Sequence, residues 1–567
     1  MKNFLASPPR SCAQERGRYA MAVLAGLLLA ASFPKPGIAG LAWIAPALML
    51  AAGLGKSGGE SFRIGYIGGL AHYLGSLYWL LLIPYRWHGI PLGPAAGWLA
   101  LSGFLALYPA TWVWMMSAVG RPQSTVHSPQ PENPTSEFDV GRSFMLPEVW
   151  LQRTRWTISA AAAWVALEMI VARLFTGFPW NLLGASQFEL PPLIQVASVT
   201  GIYGVSFLVV WASVSLLSAA LMLIRRPTLR GVWIGEIILP LAVVVAVFGF
   251  GWHRLAPDSP PDRLLRVTFV QPSIPQTVIW DESKADERFR ELVQLSESAL
   301  TNQTDLLLWP EAAVPKLLRY YEEMFRPVTE LAKSHHVWMI LGADDMEPRP
   351  GSTKDEDRDY FNSSFLISPE GQLVNTYRKR SLVIFGEYIP LVRWLPFMKW
   401  FTPIPGGFTP GERAVTFDLT DLEVKTSVLI CFEDTFPRLA RESVEGDTDF
   451  LVNLTNNGWF GESAAQWQHA ASARFRAVEN GLPLLRCSNN GLTCWVDAQG
   501  RLRQIFQDKT GSVYGAGFVT AKIPLRPPGE RRAPTFYHEH GDWFGWSCVA
   551  VATVTLILRI YGPRRTR

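Results

Sequence analysis

The sequence predicts a multi-pass α-helical membrane domain, followed by a soluble layered α/β domain and one further membrane helix. Three observations predict this fold class. Long apolar stretches fill residues 1–255, dispersed charge with alternating strand-like and helix-like runs fills 256–535, and a last apolar stretch lies near the C-terminus. The 567 residues are enough for this combination, because a single domain usually takes about 100–200 residues. We therefore expect domains at 1–255, 262–530 and 541–561.

Eight apolar stretches are candidates for crossing a bilayer, since about 20 apolar residues in a helix span its hydrocarbon core. They lie at roughly 19–33, 41–54, 64–83, 94–118, 157–175, 194–224, 232–252 and 541–561. The first two are short for a crossing. The first alone also resembles a secretory signal with Arg16 and Arg18 as its basic flank. The spans that follow it favour an uncleaved anchor.

Basic residues are segregated among the segments that connect these spans. Four clusters precede span one, separate spans four and five, separate spans six and seven, and follow span eight: Lys2, Arg10, Arg16 and Arg18; Arg121, Arg142, Arg153 and Arg155; Arg225, Arg226 and Arg230; Arg564, Arg565 and Arg567. With eight spans all four clusters fall on one side, which the positive-inside rule makes the cytoplasm. The α/β domain then faces outward.

The overall composition excludes some classes of partner. Lys and Arg (52) nearly balance Asp and Glu (48), so no nucleic-acid partner is expected. No paired Cys and His spacing indicates a metal site. Residues 122–150 are polar and rich in Pro and Ser, which predicts a flexible cytoplasmic loop without chemistry.

The outward domain alternates short strand-like runs with amphipathic helices. Strands are expected at 265–271, 305–309, 337–342, 427–431, 450–453 and 482–487, helices at 284–301, 325–334 and 466–479, and hairpins turning near 369–371 and 497–500. Alternation with interspersed hairpins predicts a layered α/β domain with a mixed sheet. The pattern leaves the topology open.

Four residues near the ends of strand-like runs suggest an activated thiol. Cys431 closes the run from Lys425, Glu311 follows Trp-Pro, and Lys379 follows a hairpin strand. A thiol becomes a nucleophile on deprotonation, for which Glu311 is a candidate general base. Lys379 is a candidate for stabilising an oxyanion, and Glu387 for orienting that lysine.

The residues alone also permit a plainer interpretation. A lone cysteine is more often a small buried hydrophobic residue, and a glutamate or lysine more often a solvated charge. Spacing does not show that Glu311, Lys379 and Cys431 meet.

Together the motifs resemble those of a known superfamily. Trp309-Pro310-Glu311, the stretch from Tyr377 through Lys379 to Glu387, and Ile430-Cys431-Phe432-Glu433 resemble the Glu-Lys-Cys motifs of the nitrilase superfamily. With the apolar spans, nearly the whole chain resembles the apolipoprotein N-acyltransferase family. Further stretches support this resemblance: Gly177–Trp180, Gly201–Gly204, Asn456–Gly461, Gln468–Glu479 and Arg486–Gly491.

The resemblance implies an αββα nitrilase-like domain on the periplasmic side of the cell inner membrane. It implies transfer of a fatty acyl chain from a phospholipid to the N-terminal amine of diacylglyceryl apolipoproteins, through a thioester on Cys431. Glu311 would be the general base, Lys379 would stabilise tetrahedral intermediates, and Glu387 would support Lys379. The implied partners are a phospholipid donor, the apolipoproteins and the bilayer. No cofactor or metal is expected, and the chain is expected to be a monomer.

Three further residues match motif positions beside these groups. Glu433 is expected to support the site, and Trp309 and Phe432 to contact the lipid substrate. Ser381, Ile384 and Phe432 stand where the family usually has His, Pro and Tyr. These departures concern loop geometry and lipid preference, because none removes a catalytic group.

Two other functions are compatible with parts of the sequence. One is a membrane-tethered nitrilase-type amidase acting on a small amide, against which the apolar surroundings argue. The other is a non-catalytic scaffold that binds lipoproteins, against which the presence of Glu311, Lys379 and Cys431 together argues.

Overall fold

The computed structural model describes residues 11–84, 92–119, 149–226, 231, 233–255, 263–279, 281–349, 351, 357–390 and 407–561. The predicted loop at 122–150 lies outside the described residues except for its last two. Several members of the basic clusters also lie outside them: Lys2, Arg10, Arg121, Arg142, Arg230, Arg564, Arg565 and Arg567.

The N-terminal part is a bundle of apolar helices. They are α1 (Ser11–Ala31), α2 (Ala45–Gly53), α3 (Gly58–Ser76), α4 (Gly93–Leu105), α5 (Leu107–Val119), α6 (Trp150–Val171), α7 (Ile202–Arg225) and α8 (Ile234–Arg254). Within the described residues, three helical stretches are long and apolar enough to cross a membrane by length and composition: Gly93–Ser117, Ile202–Arg225 and Ile234–Arg254. The helical membrane part of the predicted fold class is therefore confirmed.

The second predicted span is not one continuous helix. A 3-10 turn at Ala39–Trp43 precedes α2, whose 9 residues rise only about 14 Å. The chain nevertheless returns to the end of the bundle where α1 begins. Arg18 of α1 donates to the carbonyl oxygens of Ala52 and Leu54, at 2.9 and 2.8 Å. The chain therefore returns to that end through a 3-10 turn and a short helix rather than through one long helix.

The described basic clusters lie at this same end of the bundle. Ser117 near the end of α5 donates to the carbonyl of Gly53, at 3.1 Å. The following helix α6 runs back antiparallel, because Phe104 before α5 contacts Phe175 beyond α6, whereas Trp112 of α5 donates to the carbonyl of Ala160. Arg153 at the start of α6 pairs with Glu236 at the start of α8, at 2.6 Å.

Among the residues that the structure describes, the C-terminal part contains two six-stranded sheets. The strands are β1 (Arg263–Gln271), β2 (Leu306–Leu308), β3 (Trp338–Pro348), β4 (Arg358–Ile367), β5 (Leu373–Arg378), β6 (Thr416–Leu419), β7 (Val424–Ile430), β8 (Phe450–Thr455), β9 (Leu484–Ser488), β10 (Cys494–Val496), β11 (Leu502–Arg503) and β12 (Gly517–Leu525). The first sheet has the order β12-β1-β2-β3-β4-β5 and the second β11-β10-β9-β8-β7-β6. In the first sheet β1, β2 and β3 are parallel to one another, and in the second sheet β7, β8 and β9 are. In each sheet the strands on either side of these three pair with them in antiparallel fashion.

The two sheets pack face to face, with helices on both outer faces. One buried cluster joins them, with Ile340 and Leu366 from the first sheet against Val428 and Val452 from the second. The outer face of the first sheet packs on α9 (Ala285–Ala299) and α10 (Glu322–His335), and that of the second on α11 (Pro437–Glu442) and α12 (Ala465–Asn480). This arrangement confirms the predicted αββα sandwich. Each predicted strand and helix of this domain is present, whereas β6 and β12 were not predicted.

The α/β domain contacts the end of the bundle opposite the basic clusters. Glu479 of α12 accepts from the backbone N–H of Ile202 at the start of α7, at 2.8 Å. After β12 come α13 (Phe536–His540) and α14 (Trp543–Tyr561). Asp542, just before α14, pairs with Arg173 just beyond α6. The two parts therefore meet where α6 ends and where α7 and α14 begin.

Candidate active site

Strand ends from both sheets bring the predicted residues together. Glu311 lies three residues beyond β2, Lys379 directly follows β5, and Cys431 directly follows β7. The sequence predicts Cys431 as the last residue of its strand. In the structure it is instead the first residue of a 3-10 turn that extends to Thr435. Because the sheets face each other, these three positions converge at one edge of the sandwich.

Lys379 is held between two carboxylates. Its Nζ lies 3.1 Å from Glu311 Oε1 and 2.8 Å from Glu387 Oε1. Asn362 Nδ2 donates to the same two oxygens, at 2.8 and 2.9 Å. The lysine is 1% exposed, Glu311 6% and Glu387 8%, so these charges are compensated within the protein rather than by water.

Backbone groups fix the remaining carboxylate oxygens. The N–H of Asn456 donates to Glu311 Oε2, at 2.9 Å, and the N–H of Val383 donates to Glu387 Oε2, at 2.8 Å. A glycine lets the chain of Glu311 lie close to β3, because a Cβ on Gly342 would stand 2.7 Å from the Glu311 Cα. Both carboxylates are thus oriented before any substrate binds.

The charges of this cluster shift two pKa values in the same direction. Burial lowers the pKa of Lys379, but the Glu311 and Glu387 carboxylates raise it by more than burial lowers it. The pKa of Lys379 is therefore well above its ordinary value. Burial raises the pKa of the Cys431 thiol to about 12, and Glu311 adds to this while Lys379 opposes it. Lys379 is therefore a permanent cation, and the resting Cys431 is a thiol that requires a base.

The backbone at Cys431 has an unusual conformation. Its φ is +54°, in the left-handed region that side chains other than glycine rarely adopt. Its carbonyl oxygen accepts from Asn453 Nδ2, at 2.8 Å. These contacts fix the sharp turn that carries the thiol.

A buried polar network lies behind the thiol. His469 Nε2 lies 2.6 Å from Asp434 Oδ1 and 3.2 Å from the Cys431 carbonyl oxygen. Because both partners are acceptors, this nitrogen carries the proton. Burial and the nearby Arg486 lower the pKa of His469, and the Asp434 carboxylate opposes this effect. Arg486 in turn donates to Asp434 Oδ2, at 2.7 Å.

Glu433 ties the cysteine turn to the lysine loop. Its Oε2 accepts from Tyr377 Oη and the Ile430 N–H, both at 2.8 Å, and its Oε1 accepts from the N–H groups of Arg380 and Ser381. Burial raises its pKa. Its side chain is fully buried, so Glu433 holds the two loops together through contacts within the protein.

The two residues expected to contact lipid have different environments. Trp309 is 0% exposed and packs on the outer side of the first sheet, where its Nε1 donates to Ser296 Oγ at 2.9 Å. It faces away from the site, so the geometry does not support substrate contact by Trp309. Phe432 is partly exposed, and Lys379 Nζ lies 5.5 Å from its ring centre. Phe432 borders the site.

Phe432 belongs to an apolar cluster shared with the helical bundle. We call Trp79, Trp180, Phe432 and Phe460 the aromatic wall. The Trp79 ring centre lies 4.4 Å from that of Phe460 and 5.1 Å from that of Trp180. The polar cluster around Lys379 therefore lies next to apolar side chains from the bundle.

Gln468 of α12 connects the wall to the helices. Its Oε1 accepts from the indole N–H groups of Trp79 and Trp180, at 3.0 and 2.9 Å. Its Nε2 donates to the carbonyls of Pro34 and Ser76, at 2.9 and 3.1 Å. The next residue, His469, contacts the cysteine turn. Two consecutive residues of α12 thus connect the bundle with the turn that carries the thiol.

Two families match successive parts of the chain. Residues 25–215 match the apolipoprotein N-acyltransferase N-terminal domain, and residues 266–520 match the carbon-nitrogen hydrolase family. An apolipoprotein N-acyltransferase of Geobacter metallireducens is 35% identical over 565 residues, which cover 98% of this chain and 97% of that protein. The chain belongs to the apolipoprotein N-acyltransferase family. A Rickettsia prowazekii protein of the same name is 28% identical over 85% of this chain and 86% of its own length.

Some solved structures are similar to part of this apolipoprotein N-acyltransferase family member. A nitrilase-superfamily amidase from Nesterenkonia is 15% identical, with a TM-score of 0.34, over 48% of this chain and 93% of its own. A Saccharomyces cerevisiae member of the superfamily is 20% identical, with a TM-score of 0.33, over 48% and 93%.

Some residues of this family member's site had no role assigned from the sequence. Gln468, His469, Asn456 and Arg486 were noted only as motif matches, and Asn362 was not noted. Their contacts depend on which strands and helices are neighbours, and no local pattern reveals this. The arrangement brings together a thiol, two carboxylates, a fixed cation and an apolar border, which are the kinds of group that acyl transfer from a lipid would use.

Proposed function

We propose that this chain transfers a fatty acyl group from a membrane phospholipid to the N-terminal amine of a diacylglyceryl apolipoprotein, through a thioester on Cys431. The observation that carries the proposal is the position of Cys431. Its thiol interacts electrostatically with Glu311, Lys379 and Glu387, and the next residue, Phe432, belongs to the aromatic wall, which the helical bundle helps to build. A site for a soluble amide has no need of this apolar border.

In the first half-reaction, Cys431 attacks the ester carbonyl of the phospholipid. Glu311 takes the thiol proton as the C–S bond forms, because the thiol pKa of about 12 prevents spontaneous ionisation at neutral pH. Lys379 stabilises the tetrahedral oxyanion. The ester C–O bond then breaks, and the lysophospholipid alkoxide takes the proton from Glu311.

In the second half-reaction, the neutral α-amine of the acceptor attacks the thioester carbonyl. Glu311 takes a proton from the attacking nitrogen, and Lys379 again stabilises the oxyanion. The C–S bond breaks, and the sulfur receives the proton from Glu311. Glu387 and Asn362 position Lys379 and Glu311 through both halves, because they contact these groups directly.

We infer that residues 1–255, 262–530 and 541–561 form the membrane domain, the catalytic domain and the last membrane helix. The basic clusters at one end of the bundle support a cytoplasmic location for that end. The α/β domain at the opposite end would then face the periplasm from the inner membrane. A monomer suffices for this reaction, since the proposed catalytic groups all come from one chain.

The test is transfer by the purified protein. With phospholipid vesicles and a synthetic diacylglyceryl-cysteine peptide, we expect an N-acylated peptide and one lysophospholipid per amide formed. Turnover of a small soluble amide without acylation of the peptide would instead favour an amidase. Normal N-acylation by Cys431→Ala in cells that depend on this protein would favour a non-catalytic scaffold.

A further inference from the structure

A third carboxylate faces the site and has no role in the proposed mechanism. Asp344 lies on β3, on which Ile340 points into the space between the sheets and Leu341 and Ala343 point outward. Side chains alternate along a strand, so Asp344 points inward. Its neighbour Asp345 points the other way and pairs with Arg319, at 2.7 Å.

Asp344 is the direct cross-strand neighbour of Asn362 on β4. Directly opposed residues in an antiparallel pair have Cβ atoms about 4.5–5.5 Å apart. The Asn362 Nδ2 donates to both Glu311 and Glu387, so its Oδ1 is turned away from those carboxylates. Asn362 is only 6% exposed, yet this Oδ1 has no hydrogen-bond donor.

Two directly opposed residues therefore each present an acceptor without a donor. Nothing in the described part of the chain donates a hydrogen bond to Asp344, which is partly exposed. A buried unpaired acceptor is costly, and a ligand that brings N–H donors would remove that cost. The ligand should be a cation, because the site already contains the Glu311 and Glu387 carboxylates against Lys379 alone.

A metal ion does not fit this position. Across the described ranges no group of three His, Cys, Asp or Glu side chains could hold one. The acceptor of the proposed reaction, in contrast, has a primary ammonium group with a pKa of about 7.7–8.0. Its three N–H donors match adjacent carboxylate and amide oxygens.

We propose that Asp344 and the Asn362 carboxamide oxygen bind the α-ammonium group of the acceptor's N-terminal cysteine, and that Asp344 takes the proton this group must lose. This inference rests on the proposed function. One ammonium N–H bond breaks, the proton passes to an Asp344 oxygen, and the freed lone pair attacks the thioester. Asp344 then releases the proton to water, because its side chain is partly exposed.

The electrostatics of Asp344 suit this role. Burial raises its pKa to about 7, with Glu387, Glu311 and Asp345 adding to the effect and Lys379 opposing it. A carboxylate with this pKa exchanges a proton readily with an amine whose own pKa is slightly higher. The carboxylates of Glu311 and Glu387, which contact Lys379 directly, remain available for the thiol chemistry.

The test separates the two half-reactions with Asp344→Asn. This variant keeps the shape of the side chain but cannot accept the proton. With phospholipid vesicles we expect Cys431 thioester formation within about twofold of the unmodified protein. Transfer from the isolated acyl-enzyme to a diacylglyceryl-cysteine peptide should fall at least tenfold at pH 7, since the ammonium group loses its charged partner and its proton acceptor. The deficit should shrink toward pH 9, where the amine is mostly neutral.

Two controls make the result specific. Cleavage of the same acyl-enzyme by hydroxylamine, which is neutral at pH 7, should be unchanged. Asp359→Asn removes a carboxylate on the other face of β4, paired with Arg349, and should leave both half-reactions intact. The proposal is overturned if Asp344→Asn transfers to the peptide at the unmodified rate, or if it slows peptide and hydroxylamine equally. Failure of the unmodified protein to form a thioester would refute the proposed function instead.

Discussion

At the scale of single residues, Lys379 has a structural role, and in the proposed mechanism it also has a chemical one. It pairs with both Glu311 and Glu387 inside the protein. Removing one partner from a buried ionic cluster costs about 3–5 kcal/mol. We expect Lys379→Met to abolish acylation and to lower the unfolding temperature in detergent.

A second substitution separates these two roles of Lys379. The double variant Lys379→Met/Glu387→Gln removes one uncompensated carboxylate. It should recover much of the lost thermal stability, as measured by a thermal melt, while remaining inactive because the oxyanion still lacks its cation. Recovery of acylation in the double variant would show that Lys379 is needed only for folding.

The raised pKa of Cys431 predicts an unusual pH dependence. A raised pKa means less thiolate at every pH below about 12. The rate of iodoacetamide alkylation should therefore keep rising through pH 10, whereas an ordinary thiol levels off above about 8.5. A plateau at or below pH 9 would contradict this environment for the thiol.

Glu311→Gln should make alkylation of the thiol faster and acylation by phospholipid slower. Because the Glu311 carboxylate raises the thiol pKa, the neutral glutamine should shift the alkylation profile to lower pH. Acylation by phospholipid should nevertheless fall roughly 10²–10⁴-fold, since the general base is lost. Parallel changes in the two rates would contradict the assignment of Glu311 as the base.

The sequence reveals residues whose chemistry is distinctive and whose position follows from a local run. Cys431, Glu311 and Lys379 each follow a short strand that the sequence predicts, so their place at a sheet edge is predictable. Asn362 and Asp344 are not predictable in this way, because their roles depend on being opposite each other on β3 and β4. The sequence is uninformative about Trp309 in another way, because its position in the motif does not reveal which face of the sheet its side chain packs against.

At the scale of elements, α12 couples the two parts of the molecule. Gln468 binds the helical bundle, and His469 binds the cysteine turn. Gln468→Ala leaves two buried indole N–H groups without acceptors, at about 1–3 kcal/mol each. We expect a lower unfolding temperature and slower thioester formation.

Gln468→Glu is the matched variant. It can still accept from Trp79 and Trp180 but cannot donate to the Pro34 and Ser76 carbonyls. The single-turnover acylation rate and the unfolding temperature of this variant should show whether the contacts with the two tryptophans or those with the two carbonyls matter for the coupling. If Gln468→Ala acylates at the unmodified rate, α12 does not couple bundle and thiol.

Element prediction succeeded where strands and helices have clear periodicity. The central strands read as apolar runs because both faces are covered. In contrast, β6 has only 4 residues, and β12 contains Pro524, which a central strand excludes but which β12 tolerates at the edge of its sheet. The second membrane span was misread as one helix because an apolar stretch is also compatible with a 3-10 turn and a short helix.

At the scale of the whole molecule, the account predicts opposite sides for two exposed positions. Glu370, in the turn between β4 and β5, should be periplasmic, and Gly231, between α7 and α8, cytoplasmic. In a Cys431→Ala background, an impermeant maleimide should label Glu370→Cys on intact spheroplasts. Gly231→Cys should be labelled only after lysis, and the background protein should show neither signal. The reverse pattern would overturn the proposed orientation.

The two-part architecture explains why the site is placed where it is. Both proposed substrates are anchored in a bilayer, so a thiol beside the aromatic wall can meet an acyl chain without extracting the lipid from the membrane.

The central claim is that Cys431 carries the acyl group. The most direct measurement is the intact mass of the protein after exposure to phospholipid vesicles. We predict a gain of one fatty acyl group that hydroxylamine removes and that Cys431→Ala lacks. An unchanged mass in the unmodified protein, or the same gain in Cys431→Ala, would contradict the account.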